Sequence, residues 1–368
     1  MRLHLWIGLI ATAVLCGGHA WAEEGGALRT APLMRGTLWW ITYEDHAAWT
    51  RAEFDAAIGA QQAVGFDVLW VLNTPQIFQK ALDTEADGEC KDLMGLVYDV
   101  ADGRGMHVLA DVPKGGWYGQ TIADEMCDTI QQFVVQFHDR YGEHASFYGW
   151  YLNHEINPIA PEDKAQSAYW RGVWRRVVET CHRTAPGSVV TISPFFLLDE
   201  PRRRGFVYLA PEQYAAWWGK TLEATGIDVL MLQDSGEHLS FFTLEQREPF
   251  FAAVAAACRE AGAEFWVNVE TGEADVADWD EFLALSREGT TPWRFTPMPW
   301  LEKKLRLAAR YADGIINWGY FPYMAPGPSS GKVQSGRQDA YAAYKAYFER
   351  MRNAGASLPR LPQSDPAK

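Results

Sequence analysis

Two stretches of this chain end alike. Residues 149–155 read GWYLNHE and residues 266–270 read WVNVE, each an apolar run closing on Asn-x-Glu. In extended backbone, residues two apart share a face. Asn153 therefore aligns with Glu155, and Asn268 with Glu270. An apolar strand does not need an inward carboxylate, and burying one without partners is costly. Two such groups facing each other could hydrolyse a glycosidic bond: one protonates the leaving oxygen, and the other attacks the anomeric carbon or activates water. A gap of roughly 5–5.5 Å gives retention and a wider one inversion. Their surroundings decide which group holds the proton.

For the two glutamates to meet, the chain must bring both strand ends to one rim. Eight short apolar segments read as strands: 36–43, 66–74, 106–113, 147–155, 188–196, 228–235, 264–271 and 313–321. Helical patterns follow them at 50–64, 92–103, 122–141, 162–184, 211–225, 244–261, 299–311 and 338–352. Gly65, Gly105, Gly226 and Gly262 each fall between a helix and the next strand, where helix termini favour glycine. Eight strand–helix units predict an α/β fold, the (β/α)8 TIM barrel. The alternatives are an open doubly wound sheet or a barrel lacking one unit. No Gly-rich phosphate loop follows the first strand, so a dinucleotide-binding version has no support.

In such a barrel the reactive groups sit at the C-terminal strand ends. There the sequence offers Asn73 on the second strand, Asp111 on the third, Asn153 and Glu155 on the fourth, and Asp234 on the sixth. Asn268 and Glu270 end the seventh, and Trp318 and Tyr320 the eighth. A glutamate closing both strand four and strand seven resembles clan A, the "4/7" group of TIM-barrel glycoside hydrolases. On NHEIN (153–157), VNVETGE (267–273) and NWGYF (317–321) the whole chain resembles an exported bacterial glycosidase-like family of unknown function. That resemblance implies Glu155 as acid/base, Glu270 as nucleophile and Trp318 as a sugar-stacking ring. Two features depart from the clan. His154 stands where an Asn usually precedes the acid/base, and Asn73 lies near the place of a strand-two Arg.

Other residues have two readings each. Asp111 and Asp234 could bind sugar hydroxyls or replace one glutamate. Asn73, Asn153 and Asn268 could contact substrate, orient the glutamates, or satisfy loop backbone. Trp117, in the loop KGGWYG (114–119), is either a sugar platform or a cover over a helix end. Of Trp39 and Trp40, which alternate faces, one belongs to the core. Trp293, Trp300, Tyr320 and Tyr323 could wall the cleft. His154 should point away from the pocket and pack against a helix. It starts no zinc motif, because Pro158 occupies the second His position of H-E-x-x-H. Ser193 lacks the G-x-S-x-G elbow of serine hydrolases.

The bulk properties set the context. Residues 1–22 carry a basic start, a short apolar run and Ala20-Trp21-Ala22, the pattern of a secretory signal peptide. Leu15 before Cys16 disfavours lipid anchoring, so a periplasmic or secreted protein is expected, with no stable membrane insertion after cleavage. The barrel should span 23–355, and a Pro-rich tail, 356–368, should fray. A net charge of −14 argues against a nucleic-acid partner. Seventeen Trp residues weakly favour a carbohydrate partner. A Cys90–Cys127 disulfide is one possibility, and Cys181 and Cys258 read as buried thiols. The expected protein is a monomer, and its function needs no metal or organic cofactor. The rival functions are a non-catalytic carbohydrate-binding barrel and a metal-dependent hydrolase. The second is disfavoured because His154 is the one His at the strand ends.

Overall fold

The structure, a computed structural model, describes residues 27–85, 91–114, 124–155, 159–236, 238–327 and 335–363. The signal segment, Trp117 and Cys90 lie outside the described residues. In chain order the strands are β1 (Gly36–Trp40), β2 (Val68–Leu72), β3 (His107–Val112), β4 (Phe147–Leu152) and β5 (Val189–Ile192). They continue with β6 (Val229–Gln233), β7 (Glu264–Glu270), β8 (Gly272–Ala274), β9 (Trp293–Phe295) and β10 (Gly314–Trp318). Strands β1 to β7 and β10 close into a parallel barrel in the order β1-β10-β7-β6-β5-β4-β3-β2. All eight segments expected as strands are its staves, and β10 is the eighth.

Period-two alternation builds two layers of core. Val68, Trp70, Leu109, Met231, Trp266 and Ile316 fill the barrel interior. Residues of opposite parity, such as Trp39, Val71, Trp150, Val267 and Ile315, pack outward against the helices. The glycines between helix and strand at 65, 105, 226 and 262 all adopt positive φ, the left-handed conformation that ends a helix at low cost. Cys181 and Cys258 are buried, as read from their helical patterns.

Elements outside the expected pattern lie at the open end. The helix Thr74–Glu85 stands between β2 and the expected helix, observed at Leu93–Arg104. After β7 the chain forms the antiparallel pair β8–β9, with the helix Trp279–Glu288 between its strands. Residues 359–362, within the segment expected as a tail, lie against the barrel. Leu361 packs on the interior cluster at the opposite mouth. There Tyr148 Oη donates to the Pro362 carbonyl at 2.9 Å, and Arg35 Nη2 to that of Pro359 at 3.3 Å.

One irregularity sets the aim of β4. Val108 pairs with Phe147 but Leu109 pairs with Gly149, so Tyr148 is an extra residue in the ladder. Such a bulge changes which residues face inward. At the bulge Tyr148 packs with the interior cluster; above it Tyr151 does. The bulge requires a glycine beside it, because a Cβ at Gly149 would lie 2.1 Å from the Val189 carbonyl oxygen. Gly149→Ala is therefore expected to destabilise the fold by about 2 kcal/mol or more, read by chemical denaturation. Wild-type stability in that variant would contradict this account of the bulge.

Candidate active site

The upper ends of the interior columns open into a cleft with two lobes. A lobe of about 480 Å3 lies over β1–β4 and β10, and one of about 220 Å3 over β5–β7. Glu155 and Trp318 line both.

Glu155 follows β4 on the column of Tyr151 and Asn153. Gln233, the last inward residue of β6, donates from Nε2 to Glu155 Oε1 at 3.1 Å and to the Ser193 carbonyl at 3.0 Å. Burial pushes the Glu155 carboxyl above the usual glutamate range, while the Gln233 hydrogen bond and the Lys114 charge pull it down. Glu270 ends β7 on the column of Trp266 and Asn268. It is buried, lines the smaller lobe, and stands in register with Trp318 of β10. The two glutamates paired from sequence thus face one lobe from β4 and β7.

The larger lobe holds Asn73, Asp111 and Asn153. Asp111 is buried and accepts from the Thr74 amide at 2.7 Å, from the Thr74 hydroxyl, and from Asn153 Nδ2 at 2.9 Å. Burial raises its carboxyl to about 6 against these bonds. Asn73 adopts φ 77° and donates from Nδ2 to the Ile41 carbonyl at 2.9 Å. That is a conformation Asn tolerates better than most residues, and it turns the chain from β2 into the next helix. Of the tryptophan pair, Trp39 is core, whereas Trp40 lines this lobe at 57% exposure.

Five candidates are placed elsewhere. Asp234 faces outward, one residue beyond inward Gln233, in a buried ion pair with Lys304 at 2.8 Å. Asn268 lies fully buried below the cleft, its Nδ2 donating to Ser193 Oγ at 3.2 Å. Tyr320 is core, its ring edge-on to Phe66 at 5.5 Å, because the helix Tyr320–Tyr323 turns it away from the mouth. Tyr323 is buried and packs over Gly272. Trp293 stands behind the smaller lobe, edge-on to His238 at 5.4 Å.

The sequence reasoning missed several lining residues. Gln233 was passed over for its neighbour Asp234, although strand parity could have separated them. Trp40 carried a signal in its alternation with Trp39. Lys114, Arg204 and His238 come from loops and carried none. Burial and the Arg204 charge hold His238 down at about 4, so this imidazole is neutral near pH 7.

Residues 34–330 match the sequence family described as a domain of unknown function, DUF4434. The chain belongs to the DUF4434 family. No curated protein sequence matches this DUF4434 chain. Among solved structures it is similar to a Bacteroides thetaiotaomicron protein provisionally assigned as an alpha-L-fucosidase. The TM-score is 0.63 at 17% identity, over 93% of this chain and 99% of that one. It is also similar to GH5_18 from Streptomyces cattleya, solved in complex with GlcNAc, with TM-score 0.54 at 15% identity over 90% and 83% of the two chains. The catalytic domain of the major endoglucanase from Xanthomonas campestris pv. campestris gives 0.50 at 14% identity, over 86% and 95%. The resemblance to clan A glycoside hydrolases read from the strand ends is matched by these fold neighbours. At such identities the likeness is one of fold.

His154 turns away from the DUF4434 cleft, as its strand parity requires. Its Nε2–H donates to the Lys114 carbonyl at 2.6 Å, and its ring meets Trp170 edge-on at 5.3 Å. Burial lowers its pKa to about 4, so the folded protein holds it neutral. The unfolded chain protonates it first, near the ordinary histidine value of 6.5. Stability contributed above that pH is therefore lost as pH falls from 6.5 towards 4, by on the order of 3 kcal/mol. In His154→Gln the loss of unfolding free energy across this window should be correspondingly smaller. An identical pH slope in both proteins would refute the assignment.

Proposed function

We propose that the protein is an exported glycoside hydrolase that cleaves a poly- or oligosaccharide with retention, using Glu155 as acid/base and Glu270 as nucleophile. One observation carries this reading: carboxylates from β4 and β7 open into the same lobe, and Trp318 flanks both. The electrostatics suit the division of roles. Burial favours the protonated form of Glu155, the form needed to protonate a leaving oxygen.

The sequence of events is then the two-step displacement. Glu270 attacks the anomeric carbon as Glu155 gives its proton to the departing glycosidic oxygen. Glu155 next takes a proton from water, the water oxygen bonds to the anomeric carbon, and Glu270 leaves as carboxylate. Trp318 and exposed Trp40 offer ring faces to sugar rings. Asn73, Asp111 and Asn153 offer polar groups to hydroxyls in the larger lobe. No metal or organic cofactor enters these steps.

Glu155→Gln and Glu270→Gln each test the proposal on a panel of bacterial and plant polysaccharides and 2,4-dinitrophenyl glycosides. Each variant should keep its melting temperature and lose about 100-fold or more in polysaccharide turnover. Glu155→Gln should still release dinitrophenolate, which needs no protonation to leave. Wild-type kcat should fall as pH rises through the raised Glu155 pKa, and this limb should vanish in Glu155→Gln. Full activity in both variants sinks the assignment. Sugar binding without turnover in the wild type would instead identify a non-catalytic carbohydrate-binding barrel.

A further inference from the structure

Asp234 and Lys304 form a buried ion pair immediately behind Glu270. Lys304, from the helix Met298–Tyr311, places Nζ 2.8 Å from Asp234 Oδ2 and donates to the carbonyl of Glu270. Asp234 Oδ1 accepts from the Gly236 amide at 2.9 Å and, at 3.4 Å, from the amide of Glu270. The two peptide groups flanking the Glu270 Cα are thus tied to opposite poles of one ion pair. Beyond Glu270, the Thr271 amide donates to the Trp318 carbonyl at 3.0 Å.

The surroundings leave this pair little freedom. Arg247 lies 3.9 Å from Asp234 Oδ2 and donates to the carbonyls of Asp234, Leu239 and Phe242. A Cβ added at Gly236 would lie 2.6 Å from Lys304 Nζ. Stability alone is a weak reason for such a pair, since desolvation offsets much of its attraction and apolar replacements are often neutral. Geometry is a stronger one, because a reacting group must be held within about half an ångström of its productive place.

We infer that Asp234 and Lys304 are positioning residues that fix the Glu270 carboxylate through its two backbone peptide groups. The inference rests on Glu270 being the nucleophile, and it assigns the strand-end aspartate a role away from the sugar.

The test compares Lys304→Met, the double variant Asp234→Asn/Lys304→Met, and Gly236→Ala in the full chain. Lys304→Met should melt lower, because it leaves Asp234 buried without its cation. The double variant should regain most of that stability. Its kcat should nevertheless stay down by about 100-fold, with KM changed less than about twofold, on whichever polysaccharide or 2,4-dinitrophenyl glycoside the wild type cleaves. Gly236→Ala keeps both charges but displaces Nζ, and should lose kcat likewise, which decides the matter if the double variant does not fold. A stable double variant or Gly236→Ala protein with wild-type kcat overturns the inference and leaves the two-glutamate reading intact. Full activity in Glu270→Gln overturns that reading instead. In that event crystal structures of the variants still decide whether losing the pair moves the Glu270 carboxylate. An unmoved carboxylate rejects the positioning role.

Discussion

A carboxylate taken out of water must be met by hydrogen bonds or charge, and that demand organises the open end of this barrel. Asp111 is met by Thr74 and Asn153, which ties β3 to the chain leaving β2 and β4. Asp234 is met by Lys304 and the Gly236 amide, which ties β6 to the helix of the next strand–helix unit. Glu155 is met by Gln233, across from β4 to β6. The acidic groups at the strand ends therefore act as staples between staves. The cleft keeps its shape because each staple spans elements distant in sequence.

The same requirement separates supporting carboxylates from those offered to a ligand. Asp234 faces outward and a cation fills its acceptor site. Glu155 faces the cleft with the Gln233 amide donating to one of its oxygens, and burial raises its affinity for a proton. Strand parity makes the difference, since one step along β6 separates inward Gln233 from outward Asp234. On β4 parity depends on the bulge at Tyr148, without which the column beneath Glu155 would change its facing.

Much of the fold was legible in the residues. Strand and helix periodicity identified all eight staves, and the helix-ending glycines marked the joints. Asn-x-Glu on two strands singled out the pair that now lines one lobe. The elements that were not legible are local insertions at the mouth: the helix Thr74–Glu85, the β8–β9 pair, and the turn that buries Tyr320. These elements are short, and contacts with residues distant in sequence fix their place, as Phe66 and Trp39 do for Tyr320 and Phe321. The segment around Leu361 is likewise placed by contacts distant in sequence. Its composition is that of a loose tail, yet the open lower mouth gives its leucine an apolar surface to cover.

Sequence by itself determined the barrel, the outward turn of His154 and the shared face of Asn153 with Glu155, since alternation and periodicity are properties of a single strand or helix. Tertiary structure alone decided which strand-end residues reach the cleft. Asp234 was claimed by Lys304, seventy positions later in the chain, while Gln233, Lys114, Arg204 and His238 were brought to the lining. Those outcomes depend on which distant group arrives at each buried charge. No local pattern encodes that, because the pairing energy exists only once the barrel has closed.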